Sequence, residues 1–600
     1  MSELLDWTPA GPRSRSFGDI YFSAEDGLAE SRLVFLQGCG LPEAWAGRRR
    51  FVVGELGFGT GLNIAALLDL WRQTQPADAR LHIFSVEAHP LAANDAARAL
   101  AHWPELAALT QPLIARWPGQ APGLHRIEFP EVGAILDLFI GDVGVALSQW
   151  SGQADAWFLD GFSPALNPQM WTPSVLAQVA ERSAPGARAA TFTVAGSVRR
   201  ALTDAGFQVE KRPGHGRKRE RLEARLPNAR MTSVRQDSAV RRVAIIGAGI
   251  AGAAAARAVN ALGGEAIVIE AAHPGAGASG NPAALVTPRL DAGLGPAARL
   301  FARAFARAVQ LYDIIPDAAL ARGALQLPAS ARDAARYVTI LASDVFEPGT
   351  LGWLEAEATT ARLGEAASAG LDQPSALVID PQPVLAAWLG APLIARVAAL
   401  AADGDGWRLL DAEGMEVARA DAVILAAAYA TAELAGELPL QPVRGQASWT
   451  EHRPRAIPAA AWGGYILPTR EGLLFGATHD RDDLSVEVRS GDHDRNLAAL
   501  AVGLPHLAQG LADDLADTSL RGRAAIRAVT PDGSPLVGAT GRAGVFVLSG
   551  LGSRGFSLAP LLAEHVAALA LGAPSPLSRD AAGVVDPARF ARRAARKGRS

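Results

Sequence analysis

The chain has one cysteine, Cys39, in 600 residues. No intramolecular disulfide can form, and zinc sites built from several thiolates are excluded. A reducing compartment, the cytoplasm, fits that usage. Long apolar runs are missing too: nowhere do the roughly 20 uninterrupted apolar residues occur that a helix needs to cross a bilayer. The opening residues, MSELLDWTPAGPRSRS, lack the apolar stretch of a secretory signal. There is no excess of positive charge either. The formal net charge is −4, so any contact with nucleic acid has to come from local patches. What remains is a chain with ample core-forming residues, 49% hydrophobic against 20% charged, and too long for one ordinary domain. Alanine is so frequent that helix propensity discriminates poorly. Junctions of strand, glycine loop and helix carry more information.

One such junction fills residues 241–270, RRVAIIGAGIAGAAAARAVNALGGEAIVIE. Residues 243–246 form a short apolar run that reads as a buried strand. Gly247-Ala248-Gly249-Ile250-Ala251-Gly252 opens an Ala-rich helical segment, and a second strand, 266–269, ends at Glu270. Gly247 permits the tight turn, Gly249 lets backbone approach a pyrophosphate, and Gly252 lets helix and strand pack closely. The helix N-terminus offers free N–H groups to phosphates, and Glu270 can accept from a ribose. These features predict a dinucleotide site and leave open which dinucleotide it takes.

The first third holds a second junction. Residues 13–45 read as a small β-rich lead-in, with alternation at Ile20-Tyr21-Phe22 and an apolar run at 33–36. Then FVVGELGFGTGLN (51–63) gives strand, glycine loop and helix, the helix over 64–73. The spacing differs from the dinucleotide one: Glu55 precedes, and Gly57, Gly59 and Gly61 alternate. This pattern resembles the first motif of S-adenosylmethionine-dependent methyltransferases. Three more strands follow, at 81–86, 136–140 and 156–159. They end in Glu87, Gly141-Asp142 and Asp160-Gly161-Phe162-Ser163-Pro164. On that resemblance Glu87 grips the two ribose hydroxyls and Asp142 accepts from the adenine amine. The strands imply a doubly wound α/β domain with its ligand outside their carboxyl ends. A further strand, a helix and a closing hairpin occupy 185–224.

Basic charge gathers in two places. Residues 211–242 contain 11 Lys/Arg and 3 Asp/Glu, a local net charge of +8, and residues 589–600 add six basic side chains and no acid. A solvated linker explains the first as well as a phosphate-contacting surface does. The tail tilts the reading towards a polyanionic substrate.

Together the strings YFSAEDGLAESRLVFLQGCGLPEAW, ELGFGTGLNIAALLDLW, DAWFLDGFSPALNPQMW and GHGRKRE resemble the methyltransferase half of the MnmC family. These are bifunctional tRNA enzymes of 5-methylaminomethyl-2-thiouridine synthesis. GAGIAGAAAARAV, GASGNPAALVTPRL, VRGQAS, GATHD, RGRAAIRAVTPDGSPLVG and GLGSRGFSLAPLLAE resemble its FAD-dependent oxidoreductase half. The resemblance runs along nearly the whole chain in the same order. Cys39, Ala88-His89 and Arg221 depart from the expected pattern.

The resemblance implies an α/β fold class: an N-terminal Rossmann-like methyltransferase domain, then a glycine-oxidase-like FAD domain with an inserted α+β substrate domain. The expected boundaries are 1–226 for the methyltransferase domain, 227–240 for a basic linker, 241–588 for the oxidoreductase domain and 589–600 for a basic tail. Within the oxidoreductase domain, FAD-binding parts are expected at about 241–300 and 521–575, with the substrate part between. The implied cofactors are S-adenosylmethionine and FAD, with no metal.

The small polar loop 275–284 suits FAD, with Ser279, Gly280 and Asn281 near the cofactor, and Gly550, Gly552, Ser553 and Gly555 complete that site. Arg527 is expected to grip a substrate carboxylate, with Arg554 near the flavin face and Tyr465 lining the pocket. Asp160 is the candidate proton acceptor in methyl transfer. The implied partner is tRNA, at the wobble uridine of its anticodon loop, with no membrane and no obligatory protein partner evident. Two other readings fit the motifs: an amine or amino-acid oxidase fused to a small-molecule methyltransferase, and a non-catalytic module that holds FAD and tRNA.

Overall fold

The computed structural model describes residues 5–8, 11–22, 26–216, 219–227, 241–451, 457–514 and 520–597. The chain divides into two units, Met1–Ala239 with Pro574–Arg579, and Val240–Ala573 with Asp580–Ser600. Apart from Pro227, the expected 227–240 linker lies outside the described residues.

In the first unit an eight-stranded sheet is centred on strand Arg50–Leu56, flanked by Arg80–Glu87 and Ala154–Leu159, both parallel to it. The three strands are nearly all buried, as parallel strands covered on both faces are. One face packs Trp45, Phe51 and helix Leu62–Thr74, the other Phe84, Trp150 and Trp157. Gly123–Phe129 closes one edge antiparallel to Ala134–Ile140, a strand the sequence reading passed over. At the other edge Glu220–Arg225 lies antiparallel between Ser183–Thr191 and Gln208–Pro213. The lead-in is less β-rich than its sequence implies. Strands Leu5–Thr8 and Gly11–Ser14 form a hairpin, but residues 33–36 fall in the π-helical turn Arg32–Gln37 that continues helix Gly27–Ser31. A short apolar run buried on all sides serves either structure.

The second unit has a six-stranded nucleotide-type sheet ordered Leu393–Ile394, Glu265–Glu270, Arg242–Ile246, Ala422–Leu425, Val545–Ser549, Leu536–Ala539. All pairings are parallel except the last. Helix Ile250–Ala261 is alanine-rich and largely buried, which lets helix Gly555–Leu571 pack closely along it. A ten-stranded sheet makes up the other layer. In it Gln441–Thr450 pairs antiparallel with Arg521–Val529, from Gln441 opposite Val529 to Trp449 opposite Arg521. Within the stretch expected as substrate part, Ala422–Leu425 is an inner strand of the nucleotide sheet; Arg521–Val529, expected as FAD-binding, lies in the larger sheet. Pairings between strands more than 100 residues apart leave no local trace in the sequence.

The basic segments are also more self-contained than their composition implies. Lys211 pairs with Glu220, Arg212 with Glu210 and Arg221 with Glu223. The tail forms helix Arg589–Lys597, in which Arg589 and Arg593 pair with Asp532 and Arg592 with Asp586. Arg589 is buried. Half of the tail's six basic residues are therefore held by acids of their own unit rather than offered to a polyanion.

Candidate active sites

In the first unit the strand carboxyl ends open onto a cavity of about 680 Å³. Gly57 and Gly59 line it with positive φ, +93° and +55°. A side chain at Gly57 would meet the Gly161 backbone 3.0 Å away, so only glycine lets this loop lie flat against the neighbouring turn. Glu87 lines the cavity and takes the Gly59 and His89 N–H groups, each at 2.9 Å. Asp142 also lines it and accepts from Val145 N–H at 3.0 Å, capping its helix. Each carboxylate keeps lone pairs for hydroxyl or amine donors. Asp160 is fixed from two sides: Asn63 Nδ2 donates to Oδ2 and Gly161 N–H to Oδ1, both at 2.8 Å. Asn63 is oriented in turn by Ser31 Oγ–H, which donates to its Oδ1 at 2.7 Å.

Glu55 and Gly61 do not reach the cavity. Gly61 caps helix Leu62–Thr74 in a left-handed conformation, φ +79°. Glu55 lies inside its strand, between Ser85 and Phe158 of the flanking strands, and is fully buried. Ser85 Oγ–H donates to Glu55 Oε2 at 2.5 Å, and Oε1 has no hydrogen-bond partner among the described residues. Burial pushes this carboxyl up to about 8, with Asp160 and Glu87 adding to the rise against the Ser85 hydrogen bond. Glu55 therefore lies behind the cavity wall, with burial favouring its neutral form. Residues not anticipated at this site are Phe17, Tyr21, Asn63, His89, Asn167 and Gln169. Tyr21, Asn63, Asn167 and Gln169 lie inside the family strings quoted above, but nothing local gave any of the six a role.

In the second unit a cavity of about 580 Å³ is lined by Gly247, Gly249, Glu270, Ser279, Asn281, Gly550, Gly552, Ser553 and Gly555. Gly247, φ +111°, lies so close to Ala426 that a side chain would meet its carbonyl oxygen at 2.7 Å. Gly252 and Gly280 sit behind the surface: a Cβ on Gly252 would lie 1.8 Å from Gly247 O, and one on Gly280 2.3 Å from Gly275 O. Ser279 Oγ accepts from Ile250 N–H at 2.9 Å, tying the polar loop to the helix start. Arg523 clamps the same loop by donating to the Gly275, Ala276 and Gly277 carbonyls. Glu270 accepts from Ala248 and Ala272 N–H at 2.7 and 3.0 Å. Glycine turn, helix N-terminus and strand-end acid thus provide the cradle and acceptors that a dinucleotide's pyrophosphate and ribose require.

Arg527 and Tyr465 line this cavity as well. Among the described residues no carboxylate pairs with Arg527; its guanidinium donates weakly to Thr478 O at 3.4 Å. Burial pushes the Tyr465 phenol up, and the Arg527 charge acts in the opposite direction. Arg554 caps helix Gly555–Leu571 and lines the cavity. Removal from water lowers its pKa, as do the like charges of Arg289 and Arg336. The loops at Ala395-Arg396-Val397 and Ala426-Ala427-Ala428 also contribute, unforeseen because their strands were read as substrate part.

A doubly wound sheet with glycine loop and strand-end acids, followed by a two-layer dinucleotide unit, defines a bifunctional enzyme: an S-adenosylmethionine-dependent methyltransferase joined to an FAD-dependent oxidoreductase. The family profiles agree. Residues 104–227 match "S-adenosyl-L-methionine-dependent methyltransferase" and residues 242–569 "FAD dependent oxidoreductase". The chain belongs to the family of tRNA 5-methylaminomethyl-2-thiouridine biosynthesis bifunctional proteins, MnmC. It is 60% identical to the protein of that name from Caulobacter vibrioides, over 98% of this chain and 97% of the other. It is 43% identical to that of Maricaulis maris, over 99% and 97%. Among solved structures it resembles iminodiacetate oxidase from Chelativorans (24% identity, TM-score 0.47, 56% of this chain and 96% of that one). Glycine oxidase from Geobacillus kaustophilus is similar at 24% identity and TM-score 0.46, over 56% and 97%.

Proposed function

We propose that the chain completes a wobble-uridine modification in tRNA. The second unit removes the carboxymethyl group from carboxymethylaminomethyl(-2-thio)uridine, and the first methylates the exposed amine to methylaminomethyl(-2-thio)uridine. The observation that carries this reading is the pair of separate cavities, each at strand carboxyl ends and each with the acceptors its cofactor needs, in a chain so similar over its length to the named relatives.

FAD, when bound, supplies the two-electron oxidation of the C–N bond. Arg527, with no carboxylate partner among the described residues, is placed to hold the substrate carboxylate in a two-pronged grip. Arg554 adds positive charge beside the same cavity. The oxidised substrate carbon hydrolyses, releasing glyoxylate and leaving a primary amine. S-adenosylmethionine, when bound, supplies the methyl group. Glu87 and Asp142 hold it through ribose and adenine donors, while Glu270, Gly247, Gly249 and the 275–281 loop hold the flavin nucleotide. Asp160, its two oxygens fixed by Asn63 and Gly161, orients the attacking amine and holds its departing proton. A tRNA substrate places this work in the cytoplasm.

The test is anaerobic. Adding tRNA that carries carboxymethylaminomethyluridine to the flavin-loaded protein should bleach the flavin and yield aminomethyluridine by nucleoside mass spectrometry. S-adenosylmethionine should then convert it to the methylated form. Bleaching by free N-substituted glycines but not by tRNA would refute the proposal in favour of a small-molecule oxidase.

A further inference from the structure

The first unit's cavity is lined in part by aromatic rings that the fold leaves only partly buried. Phe17 and Phe162 have ring centroids 4.9 Å apart at 30°, and Tyr21 meets Phe162 edge-on at 5.2 Å and 77°. All three line the cavity and none is buried. Rings serving only as core would be covered, as Phe51, Phe84 and Phe158 are in the same unit. These are instead pinned in place while only partly covered. Ser163 N–H donates to Asp19 Oδ2 at 2.9 Å, tying the segment that carries Phe17 and Tyr21 to the turn after Asp160. Trp171 Nε1 donates to Phe162 O at 2.9 Å and holds that turn from the other side.

Two side-chain amides share the cavity wall, Asn167 and Gln169. Neither has a hydrogen-bond partner among the described residues. An amide pairs a donor with an acceptor, the complement of a pyrimidine's N3–H and carbonyl edge. Phe162, Asn167 and Gln169 all follow Asp160 within nine residues, so one ring, the amide pair and the carboxylate share one segment.

We propose that Phe17, Tyr21 and Phe162 form a stacking platform for an unpaired pyrimidine base, read at its edge by Asn167 and Gln169, which presents the C5 substituent to Asp160. This rests on the reading that the first unit methylates the wobble amine. Single-stranded RNA is recognised by this means in general, with splayed bases stacked on aromatic rings and bonded at their edges. The aromatic wall gives the unit a way to hold a polyanion that does not depend on its charges: it grips the base rather than the backbone.

The experiment uses the full-length, flavin-loaded chain with aminomethyl tRNA and S-adenosylmethionine. Phe17→Ala, Phe17→Leu, Tyr21→Ala, Phe162→Leu and Asn167→Ala are compared with the wild type. Losing one ring should raise the KM for tRNA about 5- to 100-fold, the span of single-base stacking, with a smaller change in kcat. Tyr21→Phe, which keeps the ring, should recover most of what Tyr21→Ala loses. Affinity for S-adenosylmethionine, measured by calorimetry, should stay within about two-fold, which also reports that the unit is folded. An unchanged tRNA KM in the ring variants, including the volume-keeping leucines, would overturn the platform. So would a parallel loss of S-adenosylmethionine affinity, which would assign the rings to the cofactor. A wild-type chain that does not methylate aminomethyl tRNA would sink the underlying reading instead.

Discussion

Replacing Glu55 by glutamine should make the first unit more stable as pH rises, and the size of the gain follows from burial. A carboxyl that ordinarily titrates at 4.5 is pushed up to about 8 in the fold. Between those two values the unfolded chain has released the proton and the folded chain keeps it. Stability from this group is therefore full below pH 4.5 and lost as pH climbs to 8, by up to about 1.4 kcal/mol per pH unit. At pH 7 the loss is about 3 kcal/mol. Glutamine has the same shape, accepts from Ser85 through its carbonyl and does not titrate. Other groups titrate alike in both proteins, so the difference between them isolates Glu55. The gap in melting temperature, followed from pH 5 to pH 7, should widen in favour of Glu55→Gln by roughly 5–10 °C, given the size of the unit. Hydrogen exchange in strand Arg50–Leu56 should move with it. A gap that stays constant across this range would mean that Glu55 is ionised in the fold, and the reasoning fails.

Four further predictions address the sites and the core. Asp160→Ala should slow methyl transfer at least about 100-fold while flavin-dependent oxidation continues; nucleoside mass spectrometry would then find aminomethyluridine accumulating, and fully methylated product at wild-type rate would sink the assignment. Gly249→Glu places a long acid where a Cβ already lies 3.0 Å from Ser279 Oγ, so the purified protein should be colourless yet still methylate aminomethyl tRNA; yellow protein would count against the flavin loop. Arg527→Lys keeps the charge but not the two-pronged geometry, and stopped-flow bleaching should show the KM for carboxymethylaminomethyl tRNA rising about ten-fold. Arg444 is fully buried and its Nη1 donates to buried Asp492 at 2.6 Å; Arg444→Ala should destabilise the second unit by about 3–5 kcal/mol in chemical denaturation, and Arg444→Met with Asp492→Leu should recover much of that.

What could be read from the sequence was what is encoded locally. Both glycine loops, the helices they start and the acids at Glu87, Asp142, Asp160 and Glu270 are visible because strand, turn and helix follow one another within 30 residues. Glu55 illustrates the limit. Its identity is plain, but whether an acid at that point faces solvent or a neighbouring strand depends on register against Ser85 and Phe158. Phe17 and Tyr21 come to the site only because an N-terminal segment folds over a turn some 140 residues later. Ala422–Leu425 was missed as a nucleotide-sheet strand for the same reason: its partners begin at residues 242 and 545. The charge runs misled in the other direction, since composition counts arginines without showing which ones are already paired.

That interleaving of strands also sets a timetable for synthesis. The central strands of the first unit's sheet are all present once residue 191 has left the ribosome. The second unit's sheet cannot close until Val545–Ser549 arrives, about 300 residues after Arg242–Ile246. At roughly 5–20 residues per second, its first strand gains Glu265–Glu270 within seconds but waits on the order of 10–35 s for Ala422–Leu425 on its other side. During that interval the apolar run Val243-Ala244-Ile245-Ile246 is an edge paired on one side only and open to wrong partners on the other. Misfolding of a slowed or truncated chain is therefore expected to begin in the flavin half, with the methyltransferase sheet already formed.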